Sequence, residues 1–207
     1  MTTFYLIRHG QNEYVGKGKL AGWTKSVHLN EHGSAQAQSL ATLLSSVKFR
    51  AIYTSPLERA YETAQPLADS RNLKPIVREG LGEIKYGTWT GKSLSSLRRR
   101  KLWPTIQSAP SRAAFPEGES FTNAQARIVH ELELIRSSHP GKKTLVACVF
   151  HSDPIKLAIA HFIGLHIDLF QRLVIEPASF SILNLSDHGA HLLRLNDTGA
   201  TITPPQE

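Results

Sequence analysis

The sequence has a single cysteine, fewer acidic than basic side chains and no long apolar run. One thiol, Cys148, cannot build an internal disulfide framework, and its place in the apolar run 144–150 favours an inert core residue. Every apolar run falls short of the roughly 20 residues that span a bilayer. The first residues also lack the basic and apolar segments of a signal peptide. We therefore expect a cytoplasmic protein that makes no membrane contact.

The charge balance is positive, with 24 Lys and Arg residues against 17 Asp and Glu residues and a formal net charge of +7. This excess favours anionic partners. Its densest part is the run 98–101, which we interpret as the solvated face of a short helix. The run has no interleaved aromatic residues and the chain has no zinc-finger or RNP pattern, so nucleic acid is not the expected partner.

The most informative stretch is Phe4–Gly10, in which four apolar residues run directly into Arg8, His9 and Gly10. This pattern predicts a short buried strand that stops abruptly. In open α/β sheets, ligands bind just outside the carboxyl ends of the strands. Arg8 and His9 are therefore expected at a ligand-binding edge, although a strand followed by a polar turn explains these residues equally well when they are taken alone.

The rest of the chain alternates strand-like runs with helical patterns. Further strands are predicted at 50–54, 75–78 and 144–150, and two alternating segments, 178–185 and 190–195, predict an antiparallel hairpin. Strands that alternate with helices imply a mostly parallel sheet with helices on both faces. The predicted fold is an α/β three-layer sandwich, whose mostly parallel central sheet has an antiparallel edge strand.

Capping signals predict where several helices begin. Asn30 is expected to cap a helix whose apolar face, spaced i, i+3, i+4, i+7, reaches Val47. Ser55 is expected to cap a helix that runs to about residue 71. Thr122–Gln125 offers a capping box for a helix to about residue 138, and Asp153 is expected to cap the helix that follows the run 144–150.

The length suits one domain, which we expect to comprise residues 1–207. Residues 79–120 are punctuated by glycine and proline, with a helical pattern at 93–103 and irregular structure at 104–120. This segment is the best candidate for a small insertion that covers the site. The tail from Thr201 is expected to be loose.

Four basic side chains are expected to meet at one edge of the sheet. Arg8 and His9 end the first strand, Arg59 falls in the first turn after the second strand, and His151 ends the run 144–150. Without a ligand, two guanidinium and two imidazole groups would repel one another. A dianion would be held by all of them, so this convergence predicts a dianion-binding site.

Short motifs recur along nearly the whole chain. In order they are Leu6–Gly10, Leu20–Trp23, Leu29–Gly33, Tyr53–Ala60 with Thr63–Ala64, Leu81–Ile84 with Tyr86–Gly91, Phe115–Ser120 and Val149–His151. Together, in this order, they resemble the histidine phosphatase superfamily, which is also called the phosphoglycerate mutase-like family. The resemblance implies a phosphatase of the histidine acid phosphatase type, with a small phosphorylated substrate as its partner.

The resemblance also implies a role for each residue of the expected site. His9 is the nucleophile, Glu83 donates a proton to the leaving oxygen, and the remaining phosphate pocket consists of Arg8, Arg59 and His151. Phosphoryl transfer needs positioned cations around the transferred group, which agrees with these roles. The mechanism requires no metal and no other cofactor, and the remaining histidines show no metal-ligand spacing.

The chain departs from the family pattern near both histidines. Gln11 and Asn12 replace a Glu-Ser or Glu-Thr pair, Val15 replaces a frequent Asn, and Ser152 replaces a Gly. Asn12 is a candidate for a phosphate contact, and Ser152 either adds a hydroxyl donor or crowds the phosphate. These changes bear on the positioning of the phosphate rather than on the chemistry.

Three functions are compatible with these residues. The favoured one is a metal-independent phosphomonoester hydrolase that acts through a phosphohistidine intermediate on a small metabolite, because the loop Tyr86–Gly91 is similar to the phosphatase branch. The alternatives are a bisphosphoglycerate-dependent phosphoglycerate mutase and a non-catalytic module that binds a phosphorylated ligand. The sequence leaves the substrate open, and it allows either a monomer or a homodimer.

Overall fold

A six-stranded sheet forms the centre of the computed structural model, which describes residues 1–140 and 143–199. Its strands are β1 (Thr2–Arg8), β2 (Ala51–Thr54), β3 (Ile76–Val77), β4 (Thr144–Phe150), β5 (Phe180–Ser186) and β6 (Gly189–Asp197). The strand order is β3-β2-β4-β1-β5-β6, in which the first four strands are parallel and the hairpin β5–β6 is antiparallel. The predicted mostly parallel sheet with an antiparallel edge is confirmed.

Helices connect the strands over both faces of the sheet. They are α1 (Glu13–Gly16), α2 (Glu31–Leu43), α3 (Glu58–Asp69), α4 (Leu94–Leu97), α5 (Trp103–Ser108), α6 (Phe121–Ser137) and α7 (Ser152–Phe162). Short 3₁₀ turns occupy Glu79–Leu81, Gly87–Trp89, Pro110–Arg112 and Ile167–Arg172.

Strand β4 shows how the sheet holds both helical layers. Because side chains alternate along a strand, Val146, Cys148 and Phe150 pack with α6 and α7 on one face. Ala147 and Val149 pack with α2 and α3 on the other face. All five are fully buried, and each large apolar side chain of this kind contributes about 1.5–3 kcal/mol by leaving water. Burial also raises the pKa of the Cys148 thiol far above its ordinary value, as expected of an inert core residue.

Helices α2 and α3 begin near their predicted positions but differ from the prediction in detail. Asn30 caps α2 as predicted, since its Oδ1 accepts a hydrogen bond from the Gly33 N–H at 2.8 Å. The helix ends at Leu43, so Val47 packs against the core from outside it. The prediction that Ser55 caps α3 is wrong: Leu57 is the N-cap and has no side-chain cap bond.

Two later caps also differ from prediction. Helix α6 is capped by Ser120, whose side chain accepts a hydrogen bond from the Asn123 N–H, and Thr122 lies inside the helix. Helix α7 follows directly from β4, so His151 occupies the N-cap position and Asp153 falls in the first turn. In both cases the helix begins before the strongest local capping signal.

The segment 79–120 packs into a third core cluster, in addition to the two clusters on the two faces of the sheet. Ile84, Trp89 and Phe115 are buried with Phe121 of α6 and Leu157 of α7. Its helical pattern is divided between α4 and α5, and α5 places helix within the stretch predicted to be irregular. The basic run 98–101 is exposed, as predicted, but it lies in the turn between these helices rather than on a helix face.

The predicted loose tail from Thr201 lies outside the described residues. Over the ranges 1–140 and 143–199, no helix is both long and apolar enough to cross a membrane. The same ranges contain no group of three or more His, Cys, Asp and Glu side chains arranged to hold a metal ion.

Candidate active site

Two neighbouring parallel strands place the central imidazoles side by side. Because β1 and β4 pair in register, with Arg8 opposite Phe150, His9 and His151 follow them at the same edge of the sheet. The centroids of the two rings are 5.2 Å apart. Arg59, in the first turn of α3, lies between them: its Nε is 3.3 Å from His9 Nε2, and its Nη2 is 3.4 Å from His151 Nδ1.

Glu83 reaches the same place from the segment 79–120. Its Oε2 lies 3.9 Å from His151 Nδ1, and its Oε1 accepts a hydrogen bond from the Ile84 N–H at 2.9 Å. The Glu83 carbonyl is held by Trp23 Nε1 at 2.6 Å and by Arg127 Nη2 at 3.2 Å. We define the strand-end cluster as Arg8, His9, Arg59, Glu83 and His151. All of its members except His151 line one cavity of about 360 Å³.

The protonation state of His9 follows from its hydrogen bonds. Its Nδ1 lies 2.7 Å from the carbonyl oxygen of Gly10. A carbonyl only accepts, so Nδ1 carries the proton and Nε2 presents a lone pair. Burial lowers the pKa of His9 well below its ordinary value, and the charges of Arg59 and Arg8 lower it further. The ring is therefore neutral at physiological pH, with a nucleophilic nitrogen on the Arg59 side.

His151 is held by side chains rather than by its own backbone. Its Nε2 lies 2.8 Å from Ser55 Oγ, and its Nδ1 faces Glu83 and Arg59. The ring is fully buried. The pKa of His151 is well below its ordinary value, chiefly because the ring is buried; the charge of Arg59 and the neighbouring His9 also lower it. His151 can therefore act as a fixed hydrogen-bonding group that gains a positive charge only if an anion compensates it.

Glu83 has an electrostatic environment that favours its protonated form. Its pKa is raised from 4.5 to about 7, chiefly by burial and then by the charge of Asp153, while Arg59 and the Ile84 N–H oppose the shift. The side chain is buried, and its carboxyl group faces the imidazole of His151. A carboxyl group with a pKa near 7 can both donate and accept a proton at neutral pH.

Three buried donors at this edge of the sheet have no acceptor among the described residues: Arg8 Nε, Asn12 Nδ2 and Arg59 Nη1. A buried donor without an acceptor costs about 1–3 kcal/mol, so such atoms are rare in folded proteins. Arg8 and Arg59 line the same cavity, so an anion with several oxygen atoms bound there would satisfy their two unpaired donors. The arrangement is that of an anion site whose donors are already in position.

The other two residues predicted to contact phosphate follow the two histidines in the chain, and of the two only Ser152 lines the cavity. Asn12 caps α1 through its Oδ1, which accepts a hydrogen bond from the Val15 N–H at 2.9 Å, and this leaves its Nδ2 as a donor. Ser152 is the first residue of α7 and lines the cavity. Its hydroxyl is only weakly held, at 3.4 Å from the Ile175 carbonyl oxygen.

Close backbone packing fixes the loop that carries His9. Gly10 lies against the start of α2, and a Cβ atom built on it would be 2.6 Å from the Gly33 carbonyl oxygen. A Cβ on Gly33 would in turn collide with the Gln11 carbonyl. The Gly10 N–H donates to Thr63 Oγ1 of α3 at 3.0 Å. The loop is therefore held between two helices.

Sequence reasoning missed two side chains that shape the site. Ser55, read as a helix cap, contacts His151 instead. Tyr86 donates a hydrogen bond to Asp153 Oδ2 at 3.3 Å beside Glu83. Ser55 could have been found by the rule that places ligand sites at strand ends, because it directly follows β2.

Comparison with known proteins agrees with this arrangement. The family model of the histidine phosphatase superfamily (branch 1) matches residues 4–198. The chain belongs to the histidine phosphatase superfamily. The family match spans both strands that carry the imidazoles and the segment that carries Glu83.

Two relatives along nearly the whole chain carry the names of different activities. The chain is 29% identical to phosphoserine phosphatase 1 of Hydrogenobacter thermophilus, over 96% of this chain and 93% of that protein. It is 30% identical to a 2,3-bisphosphoglycerate-dependent phosphoglycerate mutase of Thermoplasma acidophilum, over 87% and 86%. A phosphoserine phosphatase variant of Entamoeba histolytica, solved with phosphoserine, superposes with a TM-score of 0.87 at 26% identity, covering 96% and 98%.

Proposed function

We propose that the protein is a metal-independent phosphomonoester hydrolase that acts through a phosphohistidine formed on His9. The observation that carries the proposal is the lone pair of His9 Nε2 beside buried donors without acceptors, Arg8 Nε and Arg59 Nη1. A nucleophile and the groups that would hold the transferred phosphoryl oxygens thus lie at one point. The superfamily assignment supports the same reaction class.

The first step transfers the phosphoryl group to the protein. His9 Nε2 forms a bond to phosphorus as the bond between phosphorus and the ester oxygen breaks. Arg8, Arg59 and His151 stabilise the charge on the equatorial oxygens. Glu83, whose pKa of about 7 keeps much of it protonated at neutral pH, gives its proton to the leaving oxygen, so the alcohol departs neutral.

The second step returns the protein to its starting state. Glu83 is now a carboxylate and takes a proton from a water molecule. The oxygen of that water bonds to phosphorus as the bond to His9 Nε2 breaks, and inorganic phosphate leaves. Asn12, whose Nδ2 is a buried donor without an acceptor, and Ser152, which lines the cavity, are proposed to contact the phosphate.

A mutase is the second candidate, because a mutase relative is as similar as the phosphatase relatives. The two activities share the phosphohistidine and differ in what accepts the phosphoryl group: water in a hydrolase, a second hydroxyl in a mutase. The short covering segment at 79–120 supports the hydrolase, since a mutase must exclude water from the phosphoenzyme.

The test is a rapid-quench assay of several phosphate esters in the presence of a chelator. Expected results are release of phosphate unaffected by the chelator, and a transient acid-labile label on the protein that is absent in His9→Ala. A second assay supplies 3-phosphoglycerate with a bisphosphate primer, and isomerisation faster than hydrolysis would favour the mutase. Binding of phosphate esters without any turnover would support the non-catalytic module instead.

A further inference from the structure

Beyond the strand-end cluster, the cavity is bounded by what we call the apolar wall: Leu20, Trp89, Leu94, Trp103, Ile106 and Phe115. Trp89, Ile106 and Phe115 belong to the third core cluster. Leu20 and Trp103 pack against that cluster but remain partly exposed. The outer part of the cavity is therefore an apolar surface backed by packed core.

Aromatic packing keeps this wall rigid. The rings of Trp89 and Trp103 stack with an interplanar angle of 15° and a centroid distance of 6.3 Å. Phe115 meets Trp89 edge-on at 5.4 Å and packs against Phe121 at 5.3 Å. A surface fixed in this way gives up little conformational entropy when a ligand binds, and flat aromatic faces suit planar groups.

Few charged side chains lie around the apolar wall, and most of them already have a hydrogen-bond partner. Among the described residues that line the cavity outside the strand-end cluster, the charged ones are Lys19, Asp153 and Lys156. Asp153 Oδ1 accepts a hydrogen bond from Lys156 Nζ at 3.4 Å, and its Oδ2 accepts one from Tyr86. Lys19 is exposed. A leaving group that carries its own ammonium and carboxylate would thus lose water without finding a matched pair of partners.

Building on the phosphatase function proposed above, we propose that the preferred substrate is a phosphomonoester whose leaving group is an uncharged, ring-containing apolar alcohol. Burying such a ring against the apolar wall is favourable in proportion to the apolar area removed from water. The wall and the two neighbouring amides, Gln107 and Gln171, match the usual composition of a small-molecule site, apolar with a few polar groups. This preference differs from what the names of the phosphoserine phosphatase relatives would suggest.

The first experiment compares three phosphate esters of aliphatic alcohols, so that leaving-group acidity is similar: benzyl phosphate, ethyl phosphate and phosphoserine. We expect kcat/KM for benzyl phosphate to exceed that for ethyl phosphate by at least about tenfold, with phosphoserine no better than ethyl phosphate. Equal or faster hydrolysis of ethyl phosphate or phosphoserine overturns the inference and leaves the proposed function intact. Hydrolysis of none of the three contradicts the proposed function, and the inference falls with it.

The second experiment assigns the preference to the apolar wall. Trp103→Ala should lower kcat/KM for benzyl phosphate by about tenfold and change that for ethyl phosphate by less than about twofold. Leu102→Ala is the matched control, because Leu102 is also partly buried against the third core cluster but does not line the cavity. Leu20→Ala provides a second variant of the wall. Equal losses on both esters in Trp103→Ala and Leu20→Ala overturn the inference.

Discussion

The carboxyl ends of β1 and β4 carry the same side chain but hold it in different ways. His9 is fixed locally, because its Nδ1 donates to the carbonyl of the next residue, Gly10. His151 is fixed from a distance, by Ser55 after β2 and by Glu83 from the segment 79–120. The local bond places the proton of His9 on Nδ1, so its Nε2 carries a lone pair that faces Arg59 Nε at 3.3 Å, whereas the two nitrogens of His151 face Ser55, Glu83 and Arg59. The difference suits a nucleophile on one strand and a phosphate-binding group on the other.

The largest expected effect separates the two histidines. His9→Ala should abolish the phosphoenzyme and lower kcat by at least about 10⁴-fold, because no other group supplies the nucleophilic nitrogen. His151→Ala should lower kcat by about 10²–10³-fold, the usual effect of losing one stabilising group, and should still form labelled protein. Quench-flow labelling measures both. Labelled protein from His9→Ala would contradict the assigned roles.

Glu83→Gln should lower kcat for alkyl phosphates by about 10²–10⁴-fold, because the leaving oxygen loses its proton donor. The loss should be much smaller for 4-nitrophenyl phosphate, whose leaving group needs no proton. In the unaltered protein, kcat/KM should fall as pH rises through about 7, where Glu83 loses its proton, and the variant should lack this limb. Equal losses on both esters would indicate a structural role instead.

The same substitution should stabilise the protein in alkali. The pKa of Glu83 is about 7 in the folded state, above its ordinary value of 4.5, so the folded state is penalised as pH rises through 7. By linkage, Glu83→Gln should gain up to about 3 kcal/mol in unfolding free energy at pH 8.5 relative to the unaltered chain. The difference should vanish below pH 4.5. Urea titrations at several pH values measure it, and a constant difference across pH would rule out this origin.

The smallest expected effect concerns Ser55. Ser55→Ala removes the hydroxyl beside His151 Nε2 and should lower kcat/KM by about tenfold, the effect of losing one hydrogen bond between neutral groups. Nitrogen NMR should show a shifted His151 ring with an unchanged His9 ring. Ser181→Ala is the control, because Ser181 is equally buried but lies on β5. A shift of both rings would mean that Ser55 acts through the general packing of the site.

The contrast between the two histidines also shows how much of the site could be predicted from the sequence. The strands, the Asn30 cap and the convergence at the sheet edge follow from alternation and from rules about strand ends, which are local or topological. Ser55 was misread because Ser-Pro is a strong capping signal, whereas a tertiary contact with His151 takes its hydroxyl. Glu83 could be singled out only by family resemblance, since its burial depends on how the segment 79–120 packs.

The contact between Gly10 and Gly33 limits how this protein can be altered. Because Gly10 and Gly33 have no side chains, the loop after β1 packs directly against α2. The orientation of the His9 ring therefore depends on the position of a helix more than twenty residues away in the chain. An added methyl group at either position would push the loop away from α2 and change the orientation of the imidazole without contacting the cavity. If the proposed function holds, substitutions that change the preferred ester are best confined to the apolar wall, where side chains can be replaced without moving His9.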